Sequence, residues 1–112
     1  MSNIKIISSG KYIPKIQITN KELEEKYSVE ENYIFKMTGI KQRNYAEEKI
    51  EELAINATEK ALDNIKENID LIIVASVSET NQMPSISYKI QKYFNIKNCM
   101  CIDILAGCAG FI

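Results

Sequence analysis

Cys108 is the side chain here best suited to covalent chemistry, and it sits in Ala106-Gly107-Cys108-Ala109-Gly110-Phe111. Small residues on both sides leave a sulfur uncovered and let a backbone or a substrate come close. The stretch follows an apolar run that reads as a strand, so the thiol is expected where a strand passes into a helix. A helix N-terminus there favours a thiolate. The competing reading is a buried structural cysteine in a glycine-rich turn. A cysteine nucleophile usually works with a histidine, and this chain has none. The residues therefore suggest a reaction that these 112 residues do not complete alone.

The other two cysteines, Cys99 and Cys101, lie in an apolar run and would share one face of a strand. They read as buried structural thiols, because free cysteine is among the most buried residue types. An odd count without an export-type N-terminus argues against a disulfide framework. Cys-x-Cys without histidine is a poor zinc set, so no metal is expected.

The elements that must place Cys108 come from periodicity and capping. Ile4 to Ile7 reads as a first strand, turning at Gly10 and Pro14. Thr19 with Glu22 forms a capping box before a helix over Lys21 to Tyr27. Ser28 with Glu31 repeats the pattern before a helix over Glu30 to Met37, which Gly39 stops in a left-handed cap. A long amphipathic helix is predicted from Glu47 to about Glu67, with Ile50, Leu53, Ala54, Ala57, Ala61, Leu62 and Ile65 on one face. Its alanines suggest close packing, and the acids at its start suit a helix N-terminus. Ile69 to Val77 and Cys99 to Leu105 read as strands covered on both faces. Between them, Pro84 suits the first turn of a helix over Ser85 to Phe94, ended by Asn95. Alternating strands and helices predict an α/β fold with parallel pairing and right-handed crossovers. Only four residues follow Cys108, so the helix that would cover the last strand is missing, and the chain is expected to be a fragment.

Composition excludes some classes. Hydrophobic residues at 46%, charged residues at 26% and a net charge of −1 describe an ordinary globular chain. They give no electrostatic reason for nucleic-acid binding. No apolar run approaches the ~20 residues of a membrane span, and the N-terminus lacks the layout of a signal peptide. A cytoplasmic location is expected.

Taken in order, Gly10-Lys11-Tyr12-Ile13-Pro14, Thr19-Asn20 with Leu23, Met37-Thr38-Gly39-Ile40-Lys41-Gln42-Arg43, Asp70 to Ala75, Pro84-Ser85, and Asp103 with Gly107-Cys108-Ala109-Gly110-Phe111 resemble the N-terminal part of a 3-oxoacyl-[acyl-carrier-protein] synthase III. The resemblance runs along almost all of the chain and implies a thiolase-like α/β fold, of which residues 1–112 would be the first part of the N-terminal half, with the C-terminal half absent. It implies that Cys108 takes an acyl group from acyl-coenzyme A, and that malonyl-acyl carrier protein then loses carbon dioxide and attacks the thioester, starting fatty-acid synthesis. Coenzyme A enters as part of a substrate, and no cofactor is implied.

In such enzymes a histidine and an asparagine from the C-terminal half stabilise the enolate, so this chain alone is expected to be inactive in condensation. The resemblance also implies a homodimer. Tyr33 stands where a tryptophan stacks on the adenine of coenzyme A; the alternative is a plain helix aromatic. Met83 stands where a bulky residue walls the partner's acyl pocket; the alternative is plain interface packing. Met37 replaces an arginine that usually precedes Thr-Gly-Ile. Val77 stands where hydroxymethylglutaryl-CoA synthases carry an acid, which disfavours that branch. Arg43 receives no catalytic task. Other readings are a non-catalytic pairing or scaffold subunit, a truncated remnant, or a thiolase-fold synthase of secondary metabolism.

Overall fold

The computed structural model describes residues 4–78 and 83–111. They fall into two compact units, one of Ile13–Glu48 and one of Lys49 onward together with the stretch up to Tyr12.

In the Ile13–Glu48 unit, β1 (Ile16–Thr19) leads into α1 (Asn20–Tyr27), then α2 (Tyr33–Thr38) and β2 (Gln42–Tyr45). β1 and β2 pair antiparallel, with Ile16 opposite Tyr45 and Thr19 opposite Gln42. The expected capping box opens α1: the Glu22 N–H donates to Thr19 Oγ1 at 3.3 Å, and the Glu22 carboxylate accepts from Thr19 N at 2.6 Å. Hydrogen bonds from the Thr19 side chain, then its backbone, hold the Glu22 carboxyl below its ordinary pKa. A carboxyl lowered by folding contributes stability above its unfolded pKa and loses it as pH falls through the folded value. Thr19→Ala, which removes the N-cap side chain, should destabilise the protein by about 1 kcal/mol at neutral pH, the usual cost of such a loss. Thermal melts at falling pH should show the gap between variant and wild type narrowing below the lowered pKa of Glu22 but not closing, since the bond from Glu22 N–H to Thr19 Oγ1 does not titrate.

Two expectations fail in this unit. Ser28 does not start the second helix; its left-handed φ of 52° ends α1, with its N–H directed at Glu24 O and Glu25 O. α2 starts later, and its first N–H groups are met from a distance. Glu24, only 6% exposed, accepts from Asn32 N at 3.1 Å and from Ile34 N at 3.0 Å. Gly39 closes α2 as expected, at φ 70°, its N–H donating to Phe35 O at 2.8 Å.

The other unit holds α3 (Ile50–Leu62), β3 (Leu71–Ala75), α4 (Ile86–Tyr93), β4 (Met100–Ile104) and a 3-10 turn over Gly107–Phe111. β3 and β4 pair in parallel from Leu71 opposite Met100 to Ala75 opposite Ile104, with α4 in the connection, as the α/β reading requires. Ile86 and Ile90 of α4, 1% and 4% exposed, are the buried hydrophobic residues among those described. Lys89 of α4 and Glu51 of α3 form an ion pair at 3.2 Å.

Four differences from the sequence reading stand out. Residues 4–7 form no strand; instead Ser8 Oγ donates to Ala61 O of α3 at 2.6 Å and Lys60 Nζ lies 5.7 Å from the Tyr12 ring centre. α3 ends at Leu62 rather than near residue 67, because Asn64 takes a left-handed φ of 64°. Pro84 precedes α4 rather than joining its first turn, since Ser85 is the N-cap and accepts from Tyr88 N at 3.3 Å. Finally, the β3–β4 pair is covered on one face only. Leu71 and Ile73 on β3, with Met100 and Ile102 opposite, are exposed, whereas Ile72, Val74, Cys101 and Asp103 are half-buried. An alternating face of this kind leaves apolar surface in water.

Candidate functional site

Cys108 lies at the C-terminal ends of the two parallel strands, where open α/β sheets place their ligand sites. Two short loops form the place. Past β3, Ser76 N donates to Ile104 O at 3.1 Å, which carries the ladder one step further, and Ser76 Oγ accepts from Ser78 N at 3.2 Å. Past β4, Gly107 adopts φ 55°, a conformation open to glycine and strained for other residues. Cys108 follows as the second residue of the 3-10 turn, and Ala109 N donates to Ala106 O at 3.1 Å. Gly110 brings this turn onto the strand ends: a Cβ there would stand 3.1 Å from Ala75 Cβ and 3.6 Å from Ile104 Cγ2.

The result is an open concavity of about 440 Å³ lined by Ala75, Ser76, Val77, Ser78, Gly107 and Cys108. The thiol is exposed, as a nucleophile requires and a buried structural cysteine is not. The strand leads into a 3-10 turn among the described residues, rather than the expected α-helix.

The other two candidates are not brought to this concavity. Met83 is in the same unit, 86% exposed, joined to Pro84 by a cis bond, and absent from the lining around Cys108. Tyr33 is the first residue of α2 in the other unit, 47% exposed. Arg43 is partly buried and not simply solvated: Nη2 donates to Asn20 Oδ1 at 3.3 Å, and Asn20 in turn donates to Ile40 O at 2.6 Å.

Cys99 and Cys101 are half-buried, less enclosed than the sequence suggested. Desolvation, then the neighbouring Cys101 thiol, raises the Cys99 pKa, so less of it is thiolate in mildly alkaline solution. With limiting iodoacetamide at pH near 8, peptide mapping should find Cys108 alkylated ahead of both. Equal labelling of all three would contradict the exposure order.

Sequence reasoning missed the role of Asp103, the one acid in the β4 run. Its Oδ2 accepts from Ile86 N at 2.8 Å, and its Oδ1 accepts from Ser87 N at 3.1 Å and from the Ser87 hydroxyl. The available signal was a charged residue in a strand otherwise apolar, which has to find partners. No group of three or more metal-ligating side chains occurs among the described residues, and no helix there is long and apolar enough to cross a membrane.

No family model matches the chain. Individual relatives do. A beta-ketoacyl-[acyl-carrier-protein] synthase III of Vibrio parahaemolyticus is 37% identical over 96% of the chain and 36% of its own length. A 3-oxoacyl-[acyl-carrier-protein] synthase III from Aquifex aeolicus superposes with a TM-score of 0.85 at 37% identity, over 96% of this chain and 36% of that one. The priming beta-ketosynthase of the R1128 polyketide pathway superposes at 0.86, with 29% identity, over 96% and 34%. The chain thus has a partial α/β fold of the thiolase-like kind and spans about 36% of the length of the curated relatives it matches.

Proposed function

We propose, from the premise that this chain belongs to the 3-oxoacyl-[acyl-carrier-protein] synthase III family, that Cys108 is the residue that accepts the acyl group from an acyl-coenzyme A thioester. The exposed thiol in the concavity at the ends of β3 and β4 carries this reading. The Cys108 thiolate attacks the thioester carbonyl, the tetrahedral intermediate collapses, and coenzyme A leaves as a thiolate that takes up a proton. The bond formed and the bond broken are both thioesters, so the exchange is close to balanced. The backbone N–H of Cys108 is the natural donor to the developing oxyanion.

Condensation with malonyl-acyl carrier protein is the second half of the proposal. Decarboxylation leaves a carbanion that attacks the acyl-Cys108 thioester, forming a carbon–carbon bond and returning the thiolate. An imidazole that stabilises this carbanion has to come from outside these residues, since the chain holds no histidine. Residues 1–112 are accordingly the N-terminal portion of a larger catalytic unit, inactive in condensation by itself, working in the cytoplasm as part of a homodimer. In this reading Tyr33 stacks on the adenine and Met83 reaches a partner subunit's acyl pocket; the exposure of both side chains supports it.

The open apolar face of β3 and β4 also supports a second reading, a non-catalytic pairing subunit. Incubation with acetyl-coenzyme A and mapping of the peptides separates the two. One acetyl group on the Cys108 peptide, absent from that of Cys99 and Cys101, is the expected result. No acetylated peptide, in the presence of whatever chain completes the enzyme, would leave only the pairing role.

A further inference from the structure

Asp103 lies five residues before Cys108, in the strand that delivers the thiol. Its carboxylate is spent entirely on the start of α4, accepting from Ile86 N, Ser87 N and the Ser87 hydroxyl. The residues it holds are among the most enclosed of those described: Ser87 has no exposed surface, and Ile86 is 1% exposed. Ser85 Oγ lies 3.2 Å from Ser87 Oγ, which extends the network to within two residues of Met83.

Apolar packing could attach α4 to β4 without desolvating a charge. A carboxylate adds direction. Two backbone N–H groups and one hydroxyl aimed at two oxygens allow one register of helix start against strand, whereas apolar side chains tolerate sliding. One side chain therefore ties the segment bearing Met83 to the strand bearing Cys108.

We infer that Asp103 is a positioning residue: it fixes the Met83–Ser85 segment relative to the Cys108 turn, and through Met83 it sets the acyl groups that the site accepts. This rests on the reading of Cys108 as acyl acceptor and Met83 as a pocket wall. A wall presented to a partner subunit meets that subunit's thiol reproducibly only if its place on its own β4 is fixed.

The test is a pulsed electron–electron distance measurement between spin labels at Cys108 and at Met83→Cys, with Cys99→Ala and Cys101→Ala removing the other thiols. A second pair, Leu71→Cys with Leu105→Cys in a Cys108→Ala background, runs from one end of the paired strands to the other and reports on the sheet alone. With labelled protein diluted into unlabelled protein, so that the distance read lies within one subunit, the parent should give one narrow distance for each pair. Asp103→Asn keeps the shape but sets an amide N–H₂ against an N–H donor, and should broaden the 83–108 distribution at least about twofold as charge-assisted bonds are lost. The 71–105 pair should stay narrow. Ser87→Ala, which removes only the hydroxyl contact, should broaden the first pair less and serves if Asp103→Asn does not fold.

Unchanged 83–108 widths in the folded variants would overturn the inference, as would equal broadening of both pairs, which marks a merely structural role. Acyl-chain-length preference at Cys108 should relax in step with the broadening, and an unchanged preference overturns the link to specificity. The distances need no acyl chemistry, so a failure of Cys108 to acylate would count against the proposed function and leave the clamp standing.

Discussion

Cys108→Ser should abolish acyl transfer from acetyl-coenzyme A, lowering the rate at least about 1000-fold, or roughly 4 kcal/mol in the barrier. Serine fits the same space, so the loss is chemical. Its hydroxyl is almost wholly protonated at neutral pH, and among the described residues no base lines the concavity, which Ala75, Ser76, Val77, Ser78 and Gly107 form around the thiol. An oxygen ester formed there would also be a poorer acyl donor to a carbanion than the thioester. Because the side chain is exposed, the folding stability should barely change, within about 0.5 kcal/mol. Stopped acyl transfer in a protein of unchanged stability is the paired result to look for. Retained acetylation in Cys108→Ser would place the acceptor elsewhere.

Gly10→Ala should be the most damaging single-methyl change to stability, at about 3 kcal/mol. An added Cβ would lie 2.3 Å from Ala57 O and 2.3 Å from Ala61 N, both backbone atoms of α3. A flexible side chain could swing aside; a helix backbone held by its own hydrogen bonds cannot. The segment would have to lift, releasing the Ser8 bond to Ala61 O and the Tyr12 contact with Lys60. Ser8→Ala, which removes the bond without a clash, should cost only about 1 kcal/mol. Urea titration of the two variants separates the terms, and a Gly10→Ala cost no larger than that of Ser8→Ala would show that the segment does not pack closely on α3.

Gly10 shows where sequence reading reached and where it stopped. The alanines of α3 predicted a close neighbour, which is correct, but the neighbour is the N-terminal segment as well as the packed elements. Ile4 to Ile7, with only a weak alternation, read as a strand and made none, since a strand exists only with a partner to complete its hydrogen bonds. The converse error hid β1 and β2. Ile16–Thr19 and Gln42–Tyr45 have no persuasive apolar pattern, and they are strands because they pair with each other across more than 20 intervening residues. At Ser28 and Asn32 two local rules competed. Ser28 ended a helix, and the carboxylate that began the next came from Glu24, eight residues before Asn32.

What could be read directly from the residues depended on neighbours in the chain. The Thr19–Glu22 cap, the left-handed stops at Gly39 and Asn95 and the helices come from interactions spanning a few positions, while local composition alone, an apolar run either side of α4 and small residues around Cys108, marked the two strands and the exposed thiol. Folding alone supplied the rest. It set which face of β3 and β4 stays open, what Gly10 touches, and where the Asp103 carboxylate is used. Each of these joins positions far apart along the chain, and side-chain spacing carries no record of which distant donor an acceptor will meet.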